Sequence, residues 1–310
     1  MVNFAPGTEC EGGSDELRAG VVGPMIEEYP EFSPLSLEQR PVLHPRFQRL
    51  AEGMSELTFA GIHLFRAAHD YRISRAGEDV FVIAGTDAEP FFILPFELPS
   101  EEILNSLFEQ YHTMKAVSAS QAQQLARRGC RVWEDRDNFD YLYAREKLAT
   151  LSGRQLHRKK NLVNLFLRNN QCTARPLLEE YIGDALGILE RWKTQQGQPG
   201  DYAAAREALE NMETLQLCGG IVYVDGEAVA YTLGEEVAQG RMFVIHFEKA
   251  VLKNDYAGIY QYVNQAFAAA LPERYELINR EQDLGEPGLR RAKESYQPVD
   301  FVKKYRAAKP

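Results

Sequence analysis

The sequence predicts an α/β (α+β) chain of two similar units, each a mixed, largely antiparallel sheet flanked by helices. Three observations carry this. The length, 310 residues, suffices for two domains of ordinary size, each with its own core. Helices, an antiparallel hairpin, a further strand, a helix and another strand occur twice along the chain. The hairpin turns that mark the two passes, near Asp87 and Asp225, lie 138 residues apart, and the likeness is one of pattern rather than identity. The expected division is a flexible arm over 1–30, an N-terminal domain over 31–150 and a C-terminal domain over 151–310.

The elements follow in order. The arm is rich in Gly, Pro and acids. Ser36, with Glu38 and Gln39 in the first turn, opens a helix that can end at Gly53. Segment 55–67 carries a helical stripe through Leu57, Ile62, Leu64 and Phe65. Strand 80–84, a turn over 85–89 and return strand 91–96 form the first hairpin, with Pro90 and Pro95 keeping the return strand short or at an edge. Helices follow at 100–112, capped by Ser100, and at 120–128, closed by Gly129. In the second half, helices at 178–196 and 201–214 precede strands 220–224 and 228–233, joined by Asp225-Gly226, a strong hairpin signal. A strand at 242–247, a helix at 256–270, a strand at 275–278 and a short helix at 288–295 complete the pattern.

Thirty-five Lys and Arg against 45 Asp and Glu leave a net charge of -10. This excludes a general nucleic-acid coat or a basic membrane-surface protein while allowing a local basic patch. No apolar run approaches the ~20 residues of a membrane helix, so no integral membrane association is expected. The N-terminus lacks a basic-then-apolar signal pattern. Cys10, Cys130, Cys172 and Cys218 form no C-x-x-C pair. Neither a disulfide framework nor a metal site is expected, and a reducing cytoplasm is the default location.

One segment departs from this acidic background. Residues 147–178 contain no Asp or Glu but hold Lys147, Arg154, Arg158, Lys159, Lys160, Arg168 and Arg175. Ser152-Gly153-Arg154-Gln155 has the form of a capping box and sets a helix start there. At about 100° per residue, Arg154, His157, Arg158, Asn161, Leu165 and Arg168 share one face. Leu156, Val163, Phe166 and Leu167 lie opposite, with Lys159 and Lys160 at the margin. Such a helix presents cations to an anion, the phosphates of a nucleotide, coenzyme, tRNA or lipid head. The alternative is a solvated basic face paired with acids elsewhere.

Two further segments attract notice. Strand 242–247 leads through Lys253-Asn254-Asp255 into a helix start at Tyr256-Ala257-Gly258, where free N–H groups suit an anion and Ala257 and Gly258 permit close approach. Asp255 as a plain N-cap is the bland reading. His246, mid-strand, reads as a partly buried structural histidine. Strand 275–278 empties into a run of Asn, Arg, Glu, Gln and Asp, and ligand sites commonly form at such sheet edges. There Glu281 or Asp283 is a candidate base towards an acceptor amine and Tyr296 a candidate donor to a leaving group; the bland reading is a polar loop with internal turn bonds. The sequence has no G-x-S-x-G, P-loop, G-x-G-x-x-G or H-E-x-x-H. Direct transfer between two bound substrates is left standing.

Three stretches, LSGRQLHRKKNLVNLFLRN (151–169), GGIVYVDGEAVAYTLGE (219–235) and NREQDLGEPGLRRAKESYQPVDFVKKY (279–305), resemble a bacterial family related to the C-terminal domain of phosphatidylglycerol lysyltransferase. The resemblance covers roughly residues 30–308. It implies two GNAT-like domains in tandem and an acyltransferase of the aminoacyl-transferring, Fem-like type acting on an amine or hydroxyl. The implied donor is aminoacyl-tRNA, with the tRNA acceptor end as partner. The family motifs fall on Arg154, His157, Lys159, Lys160 and Asn161, and on Asn279, Glu281, Asp283, Gly285, Gly288, Lys293 and Tyr296. Donor phosphates are accordingly assigned to Arg154, His157, Arg158, Lys159, Lys160, Asn161, Ala257 and Gly258. Acceptor positioning is assigned to Glu248, Asn279, Arg280 and Lys293, and catalysis to Glu281, Asp283 and Tyr296. An acyl-CoA-dependent N-acetyltransferase and a non-catalytic ligand-binding protein of the same fold are the alternatives. Lys253 to Gly258 departs from the Gln/Arg-x-x-Gly-x-Gly/Ala run that GNAT enzymes use for coenzyme A.

Overall fold

A computed structural model describes residues 26–197 and 200–309. In chain order its elements are β1 (Ser33–Pro34), α1 (Arg40–Gln48), α2 (Phe59–Leu64), α3 (Arg66–His69), β2 (Arg72–Arg75), β3 (Phe81–Thr86), β4 (Pro90–Ile93), α4 (Glu101–Tyr111), β5 (Thr113–Val117), α5 (Ala119–Arg127) and β6 (Arg131–Glu134). Then come β7 (Asp140–Ala144), α6 (Arg145–Thr150), α7 (His157–Asn169), β8 (Cys172–Pro176), α8 (Ile182–Gln196), α9 (Tyr202–Glu210), β9 (Cys218–Val224), β10 (Glu227–Val237) and β11 (Met242–Ala250). The chain ends with α10 (Ile259–Ala270), β12 (Leu277–Asn279), α11 (Pro287–Glu294), β13 (Asp300–Val302) and β14 (Tyr305–Ala308). Up to residue 25 the expected arm lies outside the described residues; beyond it Glu28 already bridges Arg75.

Among the described residues two seven-stranded sheets form, ordered β1-β2-β3-β4-β5-β14-β6 and β13-β7-β12-β11-β10-β9-β8. They follow one plan. In the first, β1 to β4 pair antiparallel and β4 pairs parallel with β5. In the second, β8 to β11 pair antiparallel and β11 pairs parallel with β12. The repeat is therefore one of topology, but its phase differs from the sequence expectation. The turn at Asp87 joins β3 to β4, which matches the β10–β11 turn rather than the Asp225-Gly226 turn between β9 and β10. Turn chemistry marks any hairpin and carries no information on which pair of strands it joins.

Each sheet also takes in one strand from the far end of the other half. β7, which follows β6, sits between β12 and β13, and β14, which follows β13, sits between β5 and β6. The compact units are accordingly 141–301 on one side and, among the described residues, 26–140 with 302–309 on the other. The expected cut at residue 150 falls inside the first of these, at the end of α6.

Local chemistry explains most boundaries. Ser36 and Gln39 form a capping box, as do Ser118 and Gln121 before α5. Thr58 and Ser100 accept N–H bonds from Gly61 and Ile103. Asp225 and Gly226 both have positive φ, 51° and 82°, as a type I′ turn demands. At Ser152 the expected capping box is absent. Gly153 stands at the N-cap of a single 3-10 turn that leads into α7, with no side-chain cap. In the N-terminal unit Phe92, Leu107, Met114 and Leu125 are fully enclosed with Ala307 of β14. In the C-terminal unit Tyr143, Phe166, Phe243 and Phe267 lie in one core. Cys130 and Cys172 are free thiols.

Candidate functional site

The C-terminal unit contains a local opening in its sheet. β11 and β12 run parallel only through Met242–Val244 and Leu277–Asn279. Beyond that register β11 continues to Ala250 against β10 alone, and the chain after Asn279 turns away. Side chains rather than backbone bonds then connect the two. His246 Nδ1 lies 2.8 Å from Glu281, and Arg280 donates to Glu248 at 3.2 Å. The β10–β11 register slips between Leu233 and Gly234, leaving His246 without a strand partner. Such a bulge re-aims a side chain, and His246 Nε2 meets Glu235 at 3.0 Å.

The segment after β12 is held as a rigid frame. The Asn279 side chain, fully buried, accepts from the Glu281 N–H at 2.7 Å. That bond supports Glu281 at φ 57°, a left-handed conformation uncommon for a residue with a Cβ. Lys293 donates to the carbonyls of Arg280, Glu281 and Gln282. Asp283, wholly buried, accepts two bonds from Arg290, at 2.9 and 2.7 Å, one from Tyr141 Oη at 2.6 Å and one from the Gly285 N–H. Burial would raise this carboxyl, but Arg290, Tyr141 and the Gly285 N–H hold it far below the usual carboxylate range.

The expected roles divide on these contacts. Asp283 is a clamp with its oxygens occupied, so the base role expected of it is withdrawn. Lys293 and Asn279 hold the backbone of this segment. Glu281 is different. One oxygen meets His246, and Oε2 has no partner among the described residues, with the side chain 24% exposed.

A second cluster surrounds Arg280. Its guanidinium lies 5.0 Å from the Tyr296 ring centroid and 5.9 Å from that of Tyr143. Lys159 reaches the same Tyr296 ring at 4.3 Å. Burial, then Arg280 and Arg158, hold the Lys159 ammonium below its ordinary pKa, and among the described residues no carboxylate pairs with it. Burial keeps the Tyr296 phenol protonated. Two cations against the single carboxylate of Glu248 leave this cluster net positive.

The remainder of α7 matches the basic-face reading in part. Arg158, Asn161, Leu165 and Arg168 line an open groove of about 800 Å³, and Arg154, His157 and Lys160 are exposed. Val163 and Phe166 are buried as expected, but Leu167 is 40% exposed. Gly258 does not offer the access expected of it, whereas Ala257 is exposed. The N-cap of α10 is Gly258, not Asp255, and a Cβ there would stand 2.2 Å from the Leu162 carbonyl. Gly258 is small so that α10 can pack on α7.

Sequence reasoning overlooked Glu235 and understated His246. The one signal available was Gly234-Glu235-Glu236 just beyond the strand read over 228–233, and neither the bulge nor the β10–β11 register is legible from spacing.

Residues 47–308 match the family described as phosphatidylglycerol lysyltransferase, C-terminal. A conserved protein of unknown function from Bacteroides thetaiotaomicron has a crystal structure that matches at TM-score 0.80 and 30% identity, over 90% of this chain and 99% of that one. L-PGS from Bacillus licheniformis shares the fold at TM-score 0.58 and 13% identity, over 92% and 94% of the two chains. An uncharacterized protein of Mycoplasmoides gallisepticum is 25% identical over 186 residues, so the match spans about half, 56%, of each sequence. Among the described residues no helix is long and apolar enough to cross a membrane. The chain belongs to the phosphatidylglycerol lysyltransferase C-terminal family.

Proposed function

We propose that this chain is an acyltransferase of the aminoacyl-transferring type whose chemistry lies in the C-terminal unit. One observation carries the reading. Where β11 and β12 part, Glu281 meets His246, Arg280 bonds Glu248 and stacks on Tyr296, and Lys159 of the basic helix α7 reaches the same Tyr296 ring. Donor binding and acyl chemistry would thus be joined through one side chain.

The donor is an aminoacyl ester of tRNA, its phosphates along Arg158, Lys160 and Arg168. The acceptor amine or hydroxyl attacks the ester carbonyl, gives its proton to Glu281, and the C–O bond to the ribose breaks. The net positive Lys159–Arg280 pair stabilises the oxyanion of the tetrahedral intermediate. Tyr296, which keeps its proton, supplies one to the departing oxygen. Positioning provides much of the rate, since no covalent enzyme intermediate is required.

Binding of charged tRNA and of acetyl-CoA, measured side by side across a salt series, tests this. Charged tRNA should bind with strong salt dependence. Changing Arg158, Lys159 and Lys160 to Ala should flatten the log–log salt slope by roughly 0.7–0.9 for each phosphate no longer neutralised. Binding of acetyl-CoA alone would replace this reading with ordinary acetyl transfer, and binding of neither would leave a non-catalytic protein of the same fold.

A further inference from the structure

We infer that His246 is a positioning residue of the C-terminal unit, an imidazolium held between Glu235 and Glu281 that fixes one Glu281 oxygen so that the other faces the acceptor. The inference deepens the aminoacyl-transfer reading and rests on it.

The geometry has three parts. A neutral imidazole has one N–H and one lone pair, yet here each ring nitrogen faces a carboxylate oxygen, at 2.8 Å and 3.0 Å. Only the doubly protonated ring donates to both. The His246 side chain is 2% exposed and that of Glu235 6%, whereas Glu281 is 24% exposed. The buried carboxylate therefore orients the ring from behind, and the ring orients the carboxylate that reaches the opening. Burial opposes the charge, but the bonds and charges of Glu235 and Glu281 push the imidazole up to about 10. Finally, the ring occupies the bulge in β11, where no strand partner constrains it, and Glu281 is held in a left-handed turn by Asn279. Both ends of the contact occupy backbone conformations that serve this meeting.

A chain of two hydrogen bonds that ends on a carboxylate oxygen with no partner among the described residues specifies the acceptor's chemistry. It must bring an N–H or O–H to Glu281 Oε2, and that proton leaves with the carboxylate as the new C–N or C–O bond forms.

A matched pair of variants tests the inference. H246N retains a donor near the Nδ1 position, towards Glu281, and H246Q retains one near Nε2, towards Glu235. The readout is release of the aminoacyl group from charged tRNA, with water as acceptor, together with imidazole nitrogen shifts in the wild-type protein. We expect both ring nitrogens protonated at neutral pH. H246Q should lower kcat by about 10- to 100-fold at unchanged KM, with H246N retaining clearly more turnover. Equal losses in the two variants, following their stability, would overturn the positioning role, as would a ring that titrates like a free histidine. A doubly protonated ring in a wild-type protein that releases nothing from charged tRNA would instead overturn the transfer reading, leaving the clamp as a structural ion pair.

Discussion

Glu281 and Asp283 stand two residues apart and read alike in the sequence, as carboxylates in a polar run after a strand. Their surroundings separate them. The partners that occupy Asp283 are Arg290, seven residues on, and Tyr141, 142 residues back; no local pattern foretells the second. The same holds for Lys304, which is 1% exposed and donates to Asp140 at 2.7 Å and to Glu56. Asp140 also accepts from the N–H and hydroxyl of Ser55, both at 2.8 Å. A buried carboxylate with these partners is tolerated only while its cation remains. Lys304→Ala should therefore cost about 3–5 kcal/mol, the usual consequence of leaving a buried charge unpaired. Denaturant unfolding checks this. A loss below about 1 kcal/mol, the range of an exposed pair, would mean that water reaches Asp140 and Glu56.

At the scale of elements, the sequence showed which segments are helices and which are hairpins, because caps and turn residues act locally. It was less informative where packing decides. The short strands β2, β5, β6, β7, β8, β13 and β14 escaped notice, since runs of three to five residues carry little periodicity. The basic helix was legible as a charged face, but the inward turn of Lys159 depends on Tyr296 across the unit. Gly258 illustrates the same limit. Read locally it offered a ligand access, whereas in the fold it admits the α7 backbone. Gly258→Ala would force a Cβ onto the Leu162 carbonyl at φ 97°. It should destabilise by roughly 1–3 kcal/mol from overpacking, with further strain from the positive φ. Gly288→Ala is the control. It lies in α11 with nothing within 4 Å of the new Cβ and should be neutral or stabilising by up to about 1 kcal/mol. Comparable losses at both glycines would remove the packing explanation.

For the whole molecule, the repeat was legible as a pattern but the exchange of strands was not, because strand order is a long-range property. Its consequence is an asymmetry between the two units. The C-terminal sheet is complete within 140–302, since β7 through β13 all lie there. The N-terminal sheet is incomplete within 26–139, because β14 is the shared partner of β5 and β6. Ala307 of that strand is fully buried in the N-terminal core. A fragment of residues 139–302 should therefore unfold cooperatively, while a fragment of residues 26–139 should show no cooperative transition. Supplying residues 302–309 to the second fragment through a short linker should restore it. A fragment cut at the sequence-derived boundary, 151–310, would lack β7 between β12 and β13 and carry β14 unpaired, and should be the less stable of the two C-terminal pieces. Circular dichroism with denaturant titration distinguishes these cases. Cooperative folding of 26–139 by itself would show that the N-terminal sheet closes without its exchanged strand, and the exchange would then be a feature of topology with no hold on stability.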